Sequence, residues 1–440
     1  MLELPIEFLS RMERILGDRY ADFLASLDQP LEKAIYVNQN KISVEDFCKI
    51  CDFSLEKIPY ETAGFYVDGE KRGRHPLHHA GAFYIQEPNA MFTVNAHKFR
   101  GDELVLDLCA APGGKTIQLA NRIPNGTLVS NEYVAARSKI LFSNVERMGL
   151  RNVIITNDTP ENLARAYANT FDVVLVDAPC SGEGMFRRGA DVVDEWNTGV
   201  NIRCRERQIE IVDHADQTLK TGGYMIYSTC TYSLEENEEV VRYIIDNLGY
   251  ELIDIEYNTA RGVMIDDEHE YSNCIRLYPH ESRGEGQFVA VLRKVSENDI
   301  VPAGTLKMSN SNIANQEIRK IVDADLNIRE TNGKIYHINN EMLIKKNVNY
   351  ITKGVLLGEI QKGRFEPHHN LFTAFGKCCF NTLNYTFDSK EVAKYLRGDT
   401  VDAELSDGYG CIMVNGCPLG GFKVSAGRFK NHYPKGLRNQ

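Results

Sequence analysis

No apolar run in the 440 residues approaches the roughly 18 to 20 that a helix needs to cross a bilayer, which excludes a helical membrane span. The opening stretch MLELPIEFLSRMERILGD is too acidic and too interrupted for a secretory signal, so a cytoplasmic location is expected. Cysteine is present but not organised: eleven residues, an odd number without dense or regular spacing, argue for reduced thiols and against a disulfide scaffold. Positive charge is not in excess either. A formal net charge of -11 excludes a protein that coats nucleic acid indiscriminately, because such binding rests on neutralising phosphates with Lys and Arg. Internal repeats and low-complexity tracts are lacking as well.

A hydrophobic content of 43% with 25% charged residues is that of a globular chain, and the length exceeds one compact core, so two or three domains are expected. Basic patches occur locally: Lys71 to His79, Arg187 with Arg188, and the run Arg203, Arg205, Arg207. The tail GFKVSAGRFKNHYPKGLRNQ carries Lys423, Arg428, Lys430, Lys435 and Arg438 with no acid, and Phe429 and Tyr433 lie between the charges. Cations there would hold phosphates while bases stack on the rings. A solvated basic face is the alternative for any one patch taken alone.

Residues 1 to about 60 read as short amphipathic helices, with Ser43 and Asp46 forming a capping box ahead of FCKICDFSL. Cys48 and Cys51 have the spacing of half a zinc site. A structural zinc needs four ligands, and no second Cys/His pair lies nearby, so no metal is expected. From residue 101 the pattern becomes strand, glycine loop, helix, strand. The runs LVLDLCA, TLVSNEY, VIITND, FDVVLVDA and GGYMIYSTC alternate with helical stretches, as in a doubly wound α/β parallel sheet, whose ligands bind beyond the carboxyl ends of the strands. GQFVAVLRKV (286–295) reads as a closing edge strand, and residues 296–316, rich in Ser, Asn and Gly, as a linker. The remainder mixes short strands and turns, without an acid/base constellation of its own.

The loop CAAPGGKT, Cys109 to Thr116, admits three readings. A phosphate-binding Walker loop requires glycine where Cys109 stands, and a dinucleotide fingerprint requires a glycine spacing that Gly113 and Gly114 do not supply. The third reading is S-adenosylmethionine, held by the loop backbone, with Glu132 taking the ribose hydroxyls and Asp158 near the adenine amine. An acid after the second strand also suits NAD, so a nicotinamide oxidoreductase stays open at this point. Asp107 is either structural or turned to the cofactor.

Cys180 follows Asp177-Ala-Pro at the end of one apolar run, and Cys230 ends another. In a doubly wound sheet these are neighbouring strands, which places the two thiols face to face above the cofactor. Carbon 5 of a pyrimidine is a poor nucleophile; a thiolate adding to carbon 6 makes an enamine that attacks a sulfonium methyl, and a base must afterwards remove the carbon 5 proton. Ser233 and Glu236 read as a capping box that sets Cys230 just ahead of a helix N-terminus, where thiolate is favoured. Asp177 is suited to hydrogen-bond the cytosine N3 and amine. Each cysteine alone is more often a small buried hydrophobe; their pairing at adjacent strand ends argues otherwise. Cys109, Cys204, Cys274, Cys378, Cys379, Cys411 and Cys417 read as structural thiols.

QEPNAM (86–91), DLCAAPGGKT, DAPCSGEGMFRR and YSTCTYSLEENEEVV together resemble the signature blocks of the Nop/Sun family of RNA cytosine carbon-5 methyltransferases, and the chain length with the ending NHYPKGLR resembles its bacterial RsmF-like branch, which acts on 16S ribosomal RNA. The resemblance implies a Rossmann-like methyltransferase core over 96–297, preceded by a small helical RNA-binding region (1–95). After the core it implies a linker with a small α+β domain (298–375) and a PUA-like RNA-binding end (376–440). It implies Cys230 as nucleophile, Cys180 as the residue that assists release, and a cofactor set of Cys109, Ala110, Ala111, Pro112, Gly113, Gly114, Lys115, Glu132, Asp158 and Asp177. RNA, as 16S rRNA or the small ribosomal subunit, is the implied partner, and a monomer is expected. A transfer-RNA methyltransferase and a non-catalytic assembly factor are the alternatives. One block departs from the family: Tyr36 in YVN stands where arginine is usual.

Overall fold

The structure, a computed structural model, describes residues 3–69, 72–266, 269–297, 300–402 and 405–438, the side chain of Asp191 excepted. Two helices, Ile6–Leu16 and Tyr20–Leu27, open the chain. A four-stranded antiparallel sheet follows, β1 (Ala34–Val37), β2 (Leu55–Lys57), β3 (Gly64–Val67) and β4 (Phe83–Ile85), in the order β2-β3-β1-β4. The helical reading of residues 1 to 60 therefore needs correcting. All four residues of β1 and of β3 are buried, so these strands lack the polar alternation that marks a strand in sequence. Ser43 does cap the helix Val44–Ile50, accepting from the Asp46 amide.

The central sheet begins with β5 (Leu104–Asp107), β6 (Thr127–Asn131), β7 (Val153–Thr156), β8 (Phe171–Asp177) and β9 (Leu219–Thr229), which pair in parallel in the order β7-β6-β5-β8-β9. Successive residues serve opposite faces: Val105, Val173 and Leu175 join one core cluster, Leu106, Val174 and Val176 the other. Burial of each such side chain contributes roughly 1.5–3 kcal/mol. Helices Gly114–Arg122 and Ala135–Met148 cover the first face, and Pro160–Ala166, Thr198–Thr218 and Glu238–Leu248 the second. Short strands β10 (Tyr250–Ile253), β11 (Ala260–Arg261) and β12 (Ile275–Leu277) precede β13 (Gln287–Lys294). β13 lies between β9 on one side and β10 with β12 on the other, so it is an interior strand rather than the closing edge.

The segment read as a linker is fastened: Ala303 N donates to Ala166 O, Leu306 N to Ile344 O, and the helix Asn312–Ile318 begins inside it. Next come β14 (Ile328–Thr331), β15 (Lys334–His337), β16 (Tyr350–Thr352), β17 (Val355–Gln361) and β18 (Arg364–Pro367); β14-β15-β17-β18 form a sheet of their own, while β16 pairs with β7 and extends the methyltransferase sheet. A final sheet of β19 (Thr382–Tyr385), β20 (Gly408–Val414), β21 (Cys417–Ser425) and β22 (Arg428–Asn431) closes the chain. Lys41 of the N-terminal region, fully enclosed, donates to Thr373 O at 2.6 Å and Pro418 O at 3.0 Å, joining it to both C-terminal units. Among the described residues no helix is long and apolar enough to cross a membrane.

Candidate active site

The parallel register brings the carboxyl ends of five strands to one edge, with Asp107 beside Ser130 and Asp177 beside Ser228. After β5 the chain turns through Cys109 to Gly113 into the helix Gly114–Arg122. Gly113 sits at φ +114°, in the left-handed region, and a Cβ there would stand 3.1 Å from Leu141 Cδ1. Asp107 is sealed beneath this loop; its Oδ2 accepts from Thr116 Oγ1 at 2.6 Å and its Oδ1 has no partner. Burial raises its carboxyl to about 7 against the opposing Thr116 hydrogen bond.

Beyond β8 and β9 the two thiols meet, with Cys180 Sγ and Cys230 Sγ 3.2 Å apart and neither residue fully buried. The hydrogen bond with Cys230, together with burial, holds the Cys180 thiol well above its ordinary range. Asp177 accepts from Ser228 Oγ at 2.7 Å through Oδ1 and from Lys115 Nζ at 2.8 Å through Oδ2. Burial works against the Lys115 ammonium, but the Asp177 carboxylate outweighs it and keeps the group charged.

Two cavities converge on these groups. The larger, about 840 Å³, is lined by Leu108, Cys109, Glu132, Val134, Asp177, Cys180 and Cys230 among others. The smaller, about 320 Å³, runs past Gln86, Glu87, Lys115, Arg188 and Glu285. Cys109, Ala111, Asp177, Met185 and Cys230 belong to both, so Cys230 stands where the two spaces join. One chamber can seat a cofactor and the other a flat ring, with the Cys230 thiol and the Asp177 carboxylate between them.

Four family models match the chain in succession: the N-terminal domain of 16S rRNA methyltransferase RsmF over residues 4–88, 16S rRNA methyltransferase RsmB/F over 94–293, the RsmF rRNA methyltransferase first C-terminal domain over 315–375, and the methyltransferase RsmF PUA domain over 382–439. The ribosomal RNA small subunit methyltransferase F of Enterobacter sp. (strain 638) is 31% identical, spanning 98% of this chain and 95% of its own. The chain belongs to the RsmF family of 16S rRNA methyltransferases. The Vibrio campbellii relative of the same description is likewise 31% identical, over 99% of this chain and 97% of its own. A solved methyltransferase homolog protein from Pyrococcus horikoshii is 30% identical, covers 66% of this chain and 94% of its own, and superposes with a TM-score of 0.58.

Methyltransferases of this fold use S-adenosylmethionine, and the larger cavity of this RsmF-family chain fits it. Glu132 is buried at its wall, its Oε1 engaged by Val134 N and its Oε2 3.5 Å from Arg137. Apolar walls at Leu108, Val134, Pro160 and Ile211 suit an adenine ring. Ala110, Pro112, Gly114 and Lys115 face the smaller cavity, and Gly113 caps the helix. Asp158 lies off both linings. Its carboxylate accepts from Thr159 N, Asn162 Nδ2 and Asn349 N, the last donated by the segment that leads into β16.

Some expectations change. The helix after Cys230 begins only at Glu238, with no side-chain cap at Asn237; residues Leu234–Asn237 form a turn in which Ser233 Oγ accepts from Glu236 N at 3.4 Å, half of the expected capping box, while the Glu236 carboxylate reaches Ser181 rather than closing the other half. Cys230 therefore does not sit at a helix N-terminus. Arg187 is consumed structurally, donating to the carbonyls of Gln29, Pro30 and Gly284; Arg188 pairs with Glu285, and Arg205 with Glu239. Of the two tail rings, Tyr433 is buried against Tyr395 and His369, and Phe429 stacks on Phe422 at 5.0 Å, so Tyr433 offers no face to a base. Arg428 and Lys430 remain exposed on β22. Lys71 lies outside the described residues. Tyr36, in the place of the usual arginine, is fully buried with its hydroxyl unpartnered. Cys51 donates to Phe53 O, and Cys48 is exposed. Lys115 as the partner of Asp177, and Glu285 in the smaller cavity, were not singled out as partners from sequence; the first is a local motif lysine, the second has no local signal at all.

Proposed function

We propose that this enzyme methylates carbon 5 of a cytosine in 16S rRNA, with Cys230 as the nucleophile and Cys180 as the residue that permits release. The placement of Cys230 at the junction of the two cavities, 3.2 Å from Cys180, carries this reading. The target base must leave its stack, because carbon 6 is shielded in a helix, and the smaller cavity receives it. Cys230 Sγ, having lost its proton to solvent, bonds to carbon 6 as the thiolate, and the electron pair moves toward N3, where a proton carried by the Lys115–Asp177 pair neutralises it and is returned on release, while the Asp177 carboxylate accepts from the exocyclic amine. When bound, S-adenosylmethionine supplies an electrophilic methyl group to the carbon 5 made nucleophilic in this way.

Release needs a base for the carbon 5 proton. Cys180 Sγ, 3.2 Å from Cys230 Sγ, is placed to serve as that base: directly or through water it takes the proton as the Cys230–carbon 6 bond breaks and the electron pair returns to Cys230. Cys230→Ala is expected to abolish turnover and leave cofactor affinity nearly intact; Cys180→Ala is expected to accumulate a protein–RNA adduct that survives denaturing gels. Methylation by Cys230→Ala would refute the assignment, and bisulfite mapping of cellular RNA with and without the protein identifies the base.

A further inference from the structure

Two buried glutamates and two buried amides surround the thiol pair without touching either sulfur. Glu236 follows Cys230 in the chain but serves the other loop. Its Oε2 accepts from the backbone N of Ser181, the residue after Cys180, at 2.9 Å, and its Oε1 accepts from Ser181 Oγ. Gln208 completes that side, donating to Glu236 Oε2 at 3.0 Å and to Pro179 O, just before Cys180, at 3.1 Å. Glu183 follows Cys180 and does the reverse. Its Oε2 accepts from Tyr232 N, two residues past Cys230, at 3.0 Å. Gly184 N donates to Cys230 O at 2.9 Å, and a Cβ on Gly184 would stand 2.7 Å from that oxygen, so the two loops lie backbone against backbone. Asn201, on the helix Thr198–Thr218, donates to Glu183 Oε1 at 2.8 Å and Glu236 Oε1 at 2.9 Å. All four side chains are buried.

Resting on the catalytic reading above, we infer that Glu183, Glu236 and Asn201 form a crossed brace in which each acid positions the thiol of the opposite loop. They are positioning residues: none lines either cavity. Two neighbouring buried carboxylates are costly, and apolar side chains of similar volume would hold a merely structural contact at less cost. What carboxylates add is direction, since each takes specific donors from a loop that no strand ladder holds. The sulfur spacing is thereby set by hydrogen bonds that cross between the loops as well as by the sheet.

The crossing gives a test that a general loss of structure would not reproduce. In the full chain, Glu236→Gln keeps volume but turns an acceptor oxygen into a donor facing other donors. It is expected to mimic loss of Cys180: the RNA adduct forms at close to the normal rate and persists about ten times longer, as for loss of a charge-assisted hydrogen bond. Glu183→Gln is expected to mimic loss of Cys230, slowing adduct formation about tenfold without accumulation. Ser181→Ala removes the hydroxyl that donates to Glu236 Oε1, accepts from Asn201 Nδ2 at 3.1 Å and meets Thr231 Oγ1 at 2.8 Å, while the Ser181 backbone N stays on Glu236; it is expected to shift release in the same direction as Glu236→Gln, and it carries that arm should the glutamine variant fold poorly. Cofactor affinity is expected to be unchanged in all three. A dibromobimane probe, each thiolate displacing one bromide, reports the sulfur spacing without RNA, and its cross-link yield is expected to fall in both glutamine variants. Unchanged cross-linking, identical defects in the two, or each acid affecting its own sequence neighbour would overturn the brace. Reduced cross-linking in the glutamine variants with no adduct even in Cys180→Ala would leave the brace standing and refute the catalytic reading.

Discussion

Replacing Asp177 by asparagine separates what the carboxylate does for the fold from what it does for the reaction. The substitution preserves shape, and Oδ1 can still accept from Ser228, but an amide nitrogen then faces the Lys115 ammonium, which stands 2.8 Å from Oδ2 in the native pair. The lysine side chain is 13% exposed and loses its counter-charge. Breaking a fully buried pair costs about 3–5 kcal/mol. The Asp177 side chain is 31% exposed, so water recovers part of that, and a loss of about 2 kcal/mol is expected. At roughly 2–4 °C per kcal/mol for a domain of this size, the melting temperature falls by about 4–8 °C. Removing an interaction with the charge that builds on the ring should slow the chemical step by about 10²–10³-fold. Single-turnover methyl transfer with saturating cofactor measures the second effect, and thermal unfolding the first. The double variant Asp177→Asn with Lys115→Met should regain most of the stability and none of the rate. A single variant that loses stability but keeps its rate within about threefold would show that Asp177 only anchors the lysine.

Arg276→Met is expected to cost about 3–5 kcal/mol, because the Arg276–Glu238 pair, 2% and 0% exposed, would leave Glu238 buried without its partner; adding Glu238→Leu should restore most of it in denaturant unfolding. Stability should rise with pH from about 7 toward about 10.5, because burial lowers Lys41 from 10.5 to about 7, so that the native state binds fewer protons than the unfolded chain across that window. That contribution is lost as pH falls to about 7, it is on the order of a few kcal/mol in full, and Lys41→Met should flatten the profile in unfolding followed by fluorescence. Asn349→Asp sets a second acid beside Asp158, whose carboxylate accepts from Asn349 N at 2.9 Å; weaker cofactor binding by about threefold to tenfold in calorimetry is expected, and unchanged affinity would remove Asp158 from the cofactor site.

Local pattern was enough for the catalytic core. The apolar runs over 104–107, 127–131, 153–156, 171–177 and 219–229 are long or β-rich enough to be read as buried parallel strands, and the glycine loop and the two cysteine turns follow at their carboxyl ends. Parallel strand order then brings Cys180 and Cys230 together, which is why the sequence alone makes that pair legible. Four outcomes were decided only in three dimensions. β13 became interior because β10 to β12 are two to four residues long and give no periodic signal. β16 joined β7 across nearly two hundred residues, and Tyr433 was withdrawn from the surface by partners as distant as His79. The Glu236 backbone N keeps Ser233, but its carboxylate goes to Ser181, because a buried carboxylate goes where the most donors converge, and those donors come from separate parts of the chain. Periodicity and motif are properties of adjacent residues, whereas hydrogen-bond satisfaction in the interior belongs to the assembled core, which no window of sequence contains.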